Sequence, residues 1–121
     1  LIIISNQPDI AKGNLQVREL VKMNKKIFKY LKVDDIFTCN HSREDNCHCR
    51  KPKVGLFKKA IKKYSIDIYQ SYMIGDRKID IDAGNKVNLK TIFIDKNYSE
   101  EKPNNFDYKC FSLYSSLKFI K

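Results

Sequence analysis

Proline and glycine are scarce in this 121-residue sequence, at three and four residues, which excludes collagen-like, linker-like and low-complexity chains. No apolar run approaches the roughly 20 residues that would span a bilayer, so a soluble protein without a membrane partner is expected. An initiating Met is missing as well. The apolar start LIIIS has no basic leader before it and no small-residue cleavage site after it, so it reads as a buried strand and not as a targeting segment. A chain that opens inside a strand is expected to be a fragment whose natural start lies upstream. Cysteines number four, without a secretory signal, and three of them fall between positions 39 and 49. That crowding points to a reducing, cytoplasmic setting and to metal ligation in place of a disulfide framework.

What remains is a folded globular composition: 42% hydrophobic and 31% charged, enough to build one apolar core and one domain over residues 1–121. Acidic residues are outnumbered 14 to 24 by Lys and Arg, giving a net charge of +10. Such a balance raises nucleic acid as a partner. Twenty of the 24 are Lys, however, spread along segments such as KKIFKYLK and LFKKAIKKY, which reads first as solvated helix faces. Steering of a phosphorylated ligand is the functional remainder.

Periodicity gives strands and helices in alternation. Strands are predicted at residues 1–4, 35–39, 71–74, 90–94 and 108–111, the third running into Gly75-Asp76. Helices are predicted at 17–31, where Val17, Leu20, Val21, Ile27, Phe28 and Leu31 share a face, at 54–64, where Leu56, Phe57, Ala60 and Ile61 do, at 78–87, and from the last strand to about 120. A polar loop runs through Pro103. The order predicts an α/β fold, a Rossmann-like parallel sheet with helices on both faces. Ligands of such sheets gather at the carboxyl ends of the strands, where Ser5-Asn6-Gln7, Cys39-Asn40-His41, Asp76-Arg77 and Asp95 fall.

Cys39 and His41 are two apart, as are Cys47 and Cys49. In extended backbone that separation puts both side chains on one face, so each pair forms a two-pronged clip. Together they make a Cys3His tetrahedral set with no position left for water, as a structural zinc site requires. His48 should face the other way, and Cys110, in an apolar strand, is expected in the core. Arg50-Lys51-Pro52-Lys53-Val54-Gly55 follows the second clip and leads into a helix N-terminus, which reads equally as a phosphate grip or a plain basic loop. Asp76 and Asp80 suit a hard cation such as Mg²⁺, or Asp76 simply caps its helix.

In combination, LIIISNQPDIAKG, the CxH and CxC clips, CRKPKVGLFKKA and SYMIGDRKIDIDAGNKVNLKTIFI are similar in kind and order to haloacid-dehalogenase-type phosphatases. The resemblance covers Leu1 to about Asp95, with a weaker match beyond. It is greatest to the zinc-loop branch that holds D-glycero-D-manno-heptose 1,7-bisphosphate 7-phosphatase and histidinol-phosphate phosphatase. The resemblance implies that the hydroxyl of Ser5 binds a phosphoryl oxygen with Asn6 beside it, that Lys51 neutralises charge at the phosphate, and that Arg50 contacts substrate. It further implies that Asp76 ligates Mg²⁺ with Asp80 in tentative support, and that Cys39, His41, Cys47 and Cys49 hold Zn²⁺.

In the family an aspartate attacks phosphorus and a second, two residues on, serves as acid and base. That motif is not in this sequence, and the resemblance puts it on a central strand ahead of Leu1. The 121 residues alone are therefore expected to be inactive and prone to associate, and the full-length protein to be a monomer acting on a small phosphorylated sugar. Pro8, Asp9 and Lys12 stand where the family has a small residue, Gly and Arg, which puts the fit of the sugar in question. Heptose bisphosphate, on a route to surface-polysaccharide precursors, is the expected substrate. Histidinol phosphate is the alternative, and a noncatalytic zinc module binding nucleic acid is the rival of another class.

Overall fold

The computed structural model describes all residues from Leu1 to Lys121, which divide into two compact units, Leu1–Arg50 and Lys51–Lys121. In the first, β1 (Ile2–Asn6) runs into a single-turn helix α1 (Pro8–Ala11), then α2 (Val17–Tyr30) and β2 (Asp35–Cys39). Strands β1 and β2 are parallel, with Ser5 opposite Thr38 and Asn6 opposite Cys39. The helical crossover between them is what a parallel pair demands. Helix α1 was not expected. Pro8 sits in its first turn, where its missing N–H costs nothing, and Gly13, at φ 75°, lets the chain turn away afterwards.

Helix α2 forms where its 3.6-residue spacing predicts. Of its apolar stripe only Leu20 is buried, whereas Val17, Val21 and Phe28 are 45–57% exposed. The lysines of α2 and of α3 (Gly55–Tyr64) lie on exposed faces, as solvated helix surfaces do.

The second unit continues from α3 through a 3₁₀ turn at Ile68–Gln70 to β3 (Tyr72–Gly75), α4 (Lys78–Lys86), β4 (Lys90–Ile94), β5 (Tyr108–Cys110) and α5 (Leu113–Ser116). Its sheet is parallel throughout in the order β3–β4–β5. Helix α3 buries Leu56, Phe57 and Ala60 and turns Lys58, Lys59, Lys62 and Lys63 outward, with two of those cations in its last turn, where they complement the helix dipole. It stops at Ser65, in the left-handed conformation at φ 48°.

Ile92, Ile94 and Cys110 form a core cluster against which Tyr72, Ile74, Tyr108 and Phe119 pack. Cys110 is 3% exposed, in the core where its apolar context put it. The terminal helix is shorter than its periodicity suggests. It lasts four residues before tightening into a 3₁₀ turn at Leu117–Phe119, because Ser115 and Ser116 donate their hydroxyls to the carbonyls of Ser112 and Leu113 and so compete with the helix ladder.

Candidate active site and metal centre

In the first unit the peptide N–H of Gln7 donates to the carbonyl of Cys39 at 2.7 Å, so the chain leaving β1 is tied to the end of β2. Gln7 also donates through Nε2 to the hydroxyl oxygen of Ser5 at 2.9 Å. An oxygen that accepts in this way keeps its own proton to donate. The loop after β2 is folded by its own side chains. The Asp45 carboxylate accepts the N–H of Ser42 at 2.6 Å, which holds that acid below its usual range, and Asn46 adopts a left-handed φ of 46°. This turn brings Cys47 back against Cys39.

The two clips meet as their spacing predicts. The sulfurs of Cys39, Cys47 and Cys49 and Nδ1 of His41 all lie within 4.8 Å of one another. Cys39 is 3.6 Å from Cys47 and 2.9 Å from Cys49, Cys47 is 3.6 Å from Cys49, and His41 is 3.4 Å from Cys39 and 3.1 Å from Cys49. Ligands on a zinc tetrahedron with bonds of about 2.3 Å stand about 3.8 Å apart. The residues therefore fit such an ion after a shift on the order of 1 Å between Cys39 and Cys49. His48 is exposed and outside the set.

The electrostatics point the same way. Burial pushes the Cys47 thiol up, but the N–H groups of Arg50 and Cys49 and the neighbouring thiols outweigh it and hold it at about 6. Cys49 is pushed up to about 12 by burial and then by its hydrogen bonds to Cys39 and Cys47. Thiols this crowded cannot all ionise by themselves, and a central divalent cation removes that conflict. Arg50 follows directly, its N–H 3.4 Å from the Cys47 sulfur. Its Nη1 is buried and has no acceptor, which makes it a donor in want of an anion.

In the second unit Lys51 reaches Asp80, with Nζ 2.7 Å from Oδ1 and side chains 10% and 8% exposed. The other oxygen of Asp80 accepts the N–H of Arg77 at 3.2 Å, closing the first turn of α4. Both oxygens are thus engaged. Asp80, expected in tentative support of magnesium, holds Lys51 through one oxygen and the start of α4 through the other. Gly75 explains how Asp80 fits there: a Cβ at that position would come within 2.3 Å of the Asp80 Cβ. Lys86 donates to the carbonyl of Pro52 at 3.2 Å and ties the Lys51–Lys53 segment to the far end of α4. Val54, before α3, provides no side-chain cap.

Asp76 stands one residue beyond β3. Tyr98 donates its hydroxyl to Oδ2 of Asp76 at 2.8 Å, and this bond, with the negative charge beside it, raises the phenol above its ordinary range and keeps it protonated. Arg77 makes a bidentate pair with Glu100 at 2.6 and 2.9 Å. Asp95, at the end of β4, is 4% exposed and meets Lys109 at 2.8 Å, Lys102 at 2.9 Å and the N–H of Asn97 at 3.0 Å. The lysines, Lys109 foremost, hold its carboxyl far below the usual range. Neither Tyr98 nor Glu100 was singled out from sequence. The available signal was their place in the loop leaving the carboxyl end of β4, where such sheets collect functional groups.

A family model described as HAD-hydrolase-like matches residues 48–111. The chain belongs to that haloacid-dehalogenase-like hydrolase family. Among its relatives is the D-glycero-beta-D-manno-heptose-1,7-bisphosphate 7-phosphatase of Helicobacter pylori, 36% identical over 96 residues, covering 74% of this chain and 56% of that enzyme. The chain thus spans little more than half the length of that relative. The histidine biosynthesis bifunctional protein HisB of Blochmanniella floridana is also 36% identical over 96 residues, covering 75% of this chain and 27% of that protein. The HAD-like fold is shared with a crystal structure of D,D-heptose 1,7-bisphosphate phosphatase from B. bronchiseptica complexed with magnesium and phosphate. That match has a TM-score of 0.82 at 22% identity and covers 98% of this chain and 73% of the other. No helix is long and apolar enough to cross a membrane.

Proposed function

We propose that the protein carrying this chain is a magnesium-dependent phosphomonoester hydrolase of small phosphorylated sugars, a D-glycero-D-manno-heptose 1,7-bisphosphate 7-phosphatase. The observation that carries the reading is the buried Lys51–Asp80 pair seated on Gly75, one residue before Asp76. A lysine fixed so firmly is pre-organised to meet charge that develops on a phosphoryl group, and such fixed donors contribute most to this kind of catalysis.

Asp76 is proposed to hold Mg²⁺ through Oδ1, and the ion when bound supplies charge neutralisation at phosphate oxygens. Ser5 donates its hydroxyl to a phosphoryl oxygen while Gln7 fixes its oxygen, with Asn6 as a neighbouring contact. Arg50 offers its unsatisfied Nη1 to the substrate, and Lys51 lowers the cost of negative charge at phosphorus. The attacking aspartate and its acid–base partner are expected on the family's first motif, outside these residues. Cys39, His41, Cys47 and Cys49 are proposed to hold a structural Zn²⁺ whose closed ligand set fixes the loop that ends in Arg50 and leads into Lys51. We take residues 1–121 as part of one cytoplasmic domain and the whole protein as a monomer.

The test is phosphate release by the full-length protein from heptose 1,7-bisphosphate in the presence of Mg²⁺. Turnover is expected to fall about 10²–10³-fold in Lys51→Ala, the scale of losing one such donor. Wild-type turnover that does not depend on Mg²⁺, or a Lys51→Ala variant as fast as wild type, would sink the proposal. Histidinol phosphate is the second reading, favoured by the HisB relative; a kcat/KM higher for it than for the heptose would replace the first substrate without touching the chemistry.

A further inference from the structure

We infer that Tyr98 is a positioning residue for the metal carboxylate, held over Asp76 by a strap formed by residues 95–102. The inference rests on the proposal that Asp76 ligates Mg²⁺, and it adds a residue that the motifs do not contain. Asp76 has two oxygens, and Oδ2 is taken by the Tyr98 hydroxyl at 2.8 Å. A carboxylate with one oxygen fixed by an uncharged donor presents the other in a single orientation. Such outer partners commonly tune metal affinity by 10- to 100-fold.

The strap has what is needed to deliver that hydroxyl. At one end Asp95 is buried and holds Lys102 and the N–H of Asn97, and Asn97 turns the chain through a left-handed φ of 56°. At the other end Glu100 grips Arg77, the residue next to Asp76, with two hydrogen bonds. Tyr98 lies between these anchors, so the cost of ordering it is met by contacts that do not involve the metal. The ring itself is 46% exposed, and its removal from the fold should be benign. Its role is therefore separable from stability.

The experiment is calorimetric titration of the full-length protein with Mg²⁺ alone, without substrate, comparing wild type with Tyr98→Phe and Asp76→Asn. Thermal melts of each serve as the check on folding. Tyr98→Phe is expected to bind Mg²⁺ about tenfold more weakly with an unchanged melt, and Asp76→Asn to lose measurable binding. A second readout is linkage: Mg²⁺ should slow amide exchange across residues 96–101 in wild type and not in Tyr98→Phe. If Asp76→Asn abolishes binding while Tyr98→Phe binds as wild type does, the positioning role is overturned and the metal reading stands. If Asp76→Asn binds normally, the metal reading fails and this inference fails with it.

Discussion

At the scale of single residues, the most consequential atom is one that is absent. Gly75 has no Cβ, and the space is filled by the Cβ and carboxylate of Asp80, which in turn holds Lys51. Gly75→Ala must push Asp80 aside. We expect it to cost about 1–3 kcal/mol, the usual penalty for overpacking, when read from urea unfolding, and to lower turnover of the full-length protein further than that loss of stability explains. An alanine variant with wild-type turnover would show that Asp80 can hold Lys51 from elsewhere. Asp95 offers a prediction in pH. Its folded carboxyl is lowered by Lys109 and Lys102, so its contribution is fully present above the ordinary aspartate range and is lost as pH falls through the lowered folded value. Asp95→Asn should therefore unfold at lower urea than wild type at pH 7, and the gap should shrink progressively as pH falls from the ordinary aspartate range toward the lowered folded value. A gap independent of pH would mean that the lysines are not the cause.

At the scale of elements, α4 is the hinge between fold and site: its first turn carries Asp80 and its inner face packs on β3 and β4. Gly84 makes that packing possible, since a Cβ there would lie 2.7 Å from the Met73 Cβ and 3.0 Å from the Thr91 methyl. Alanine would gain about 1 kcal/mol of helix propensity and lose about 1–3 kcal/mol to the clash. The clash should win. Gly84→Ala is expected to be less stable by about 1 kcal/mol, and Met73→Gly, which removes the opposing Cβ, combined with it to be less destabilising than the two single changes summed; strict additivity would sink the argument. The strands and the helices α2 to α4 were legible because their apolar spacing is local. Helix α1 and the break after α5 were not, because a proline turn and serine back-bonding leave no periodic trace. The same division runs through the site. The meeting of the CxH and CxC clips could be read from residues a few positions apart, whereas the partnership of Lys51 with Asp80 and that of Tyr98 with Asp76, 22 residues away, exist only after α4 and the 95–102 strap are in place.

At the scale of the molecule, the two units differ in what they bury. The second keeps ten apolar side chains at or below 9% exposure, from Leu56 to Cys110, while the first keeps three: Leu20, Phe37 and Cys39. One of those three is a proposed zinc thiolate. Structural zinc contributes about 10–16 kcal/mol in small zinc-binding folds, as much as the whole stability of an ordinary domain, so the loop that carries the four side chains should depend on the ion far more than β3, β4 and β5 do. Chelation should therefore act unequally. Treating the full-length protein with a strong zinc chelator is expected to release one equivalent of zinc and to raise amide exchange in β2 and the loop from Cys39 to Arg50 toward the unprotected rate. Strands β3, β4 and β5 should stay protected, because their core of Ile92, Ile94 and Cys110 contains no ligand of the ion. Cys39→Ser should reproduce the pattern without chelator. Exchange that rises evenly across both units would mean that they unfold as one, and exchange that does not rise at all would mean that the four side chains hold no ion on which the loop depends.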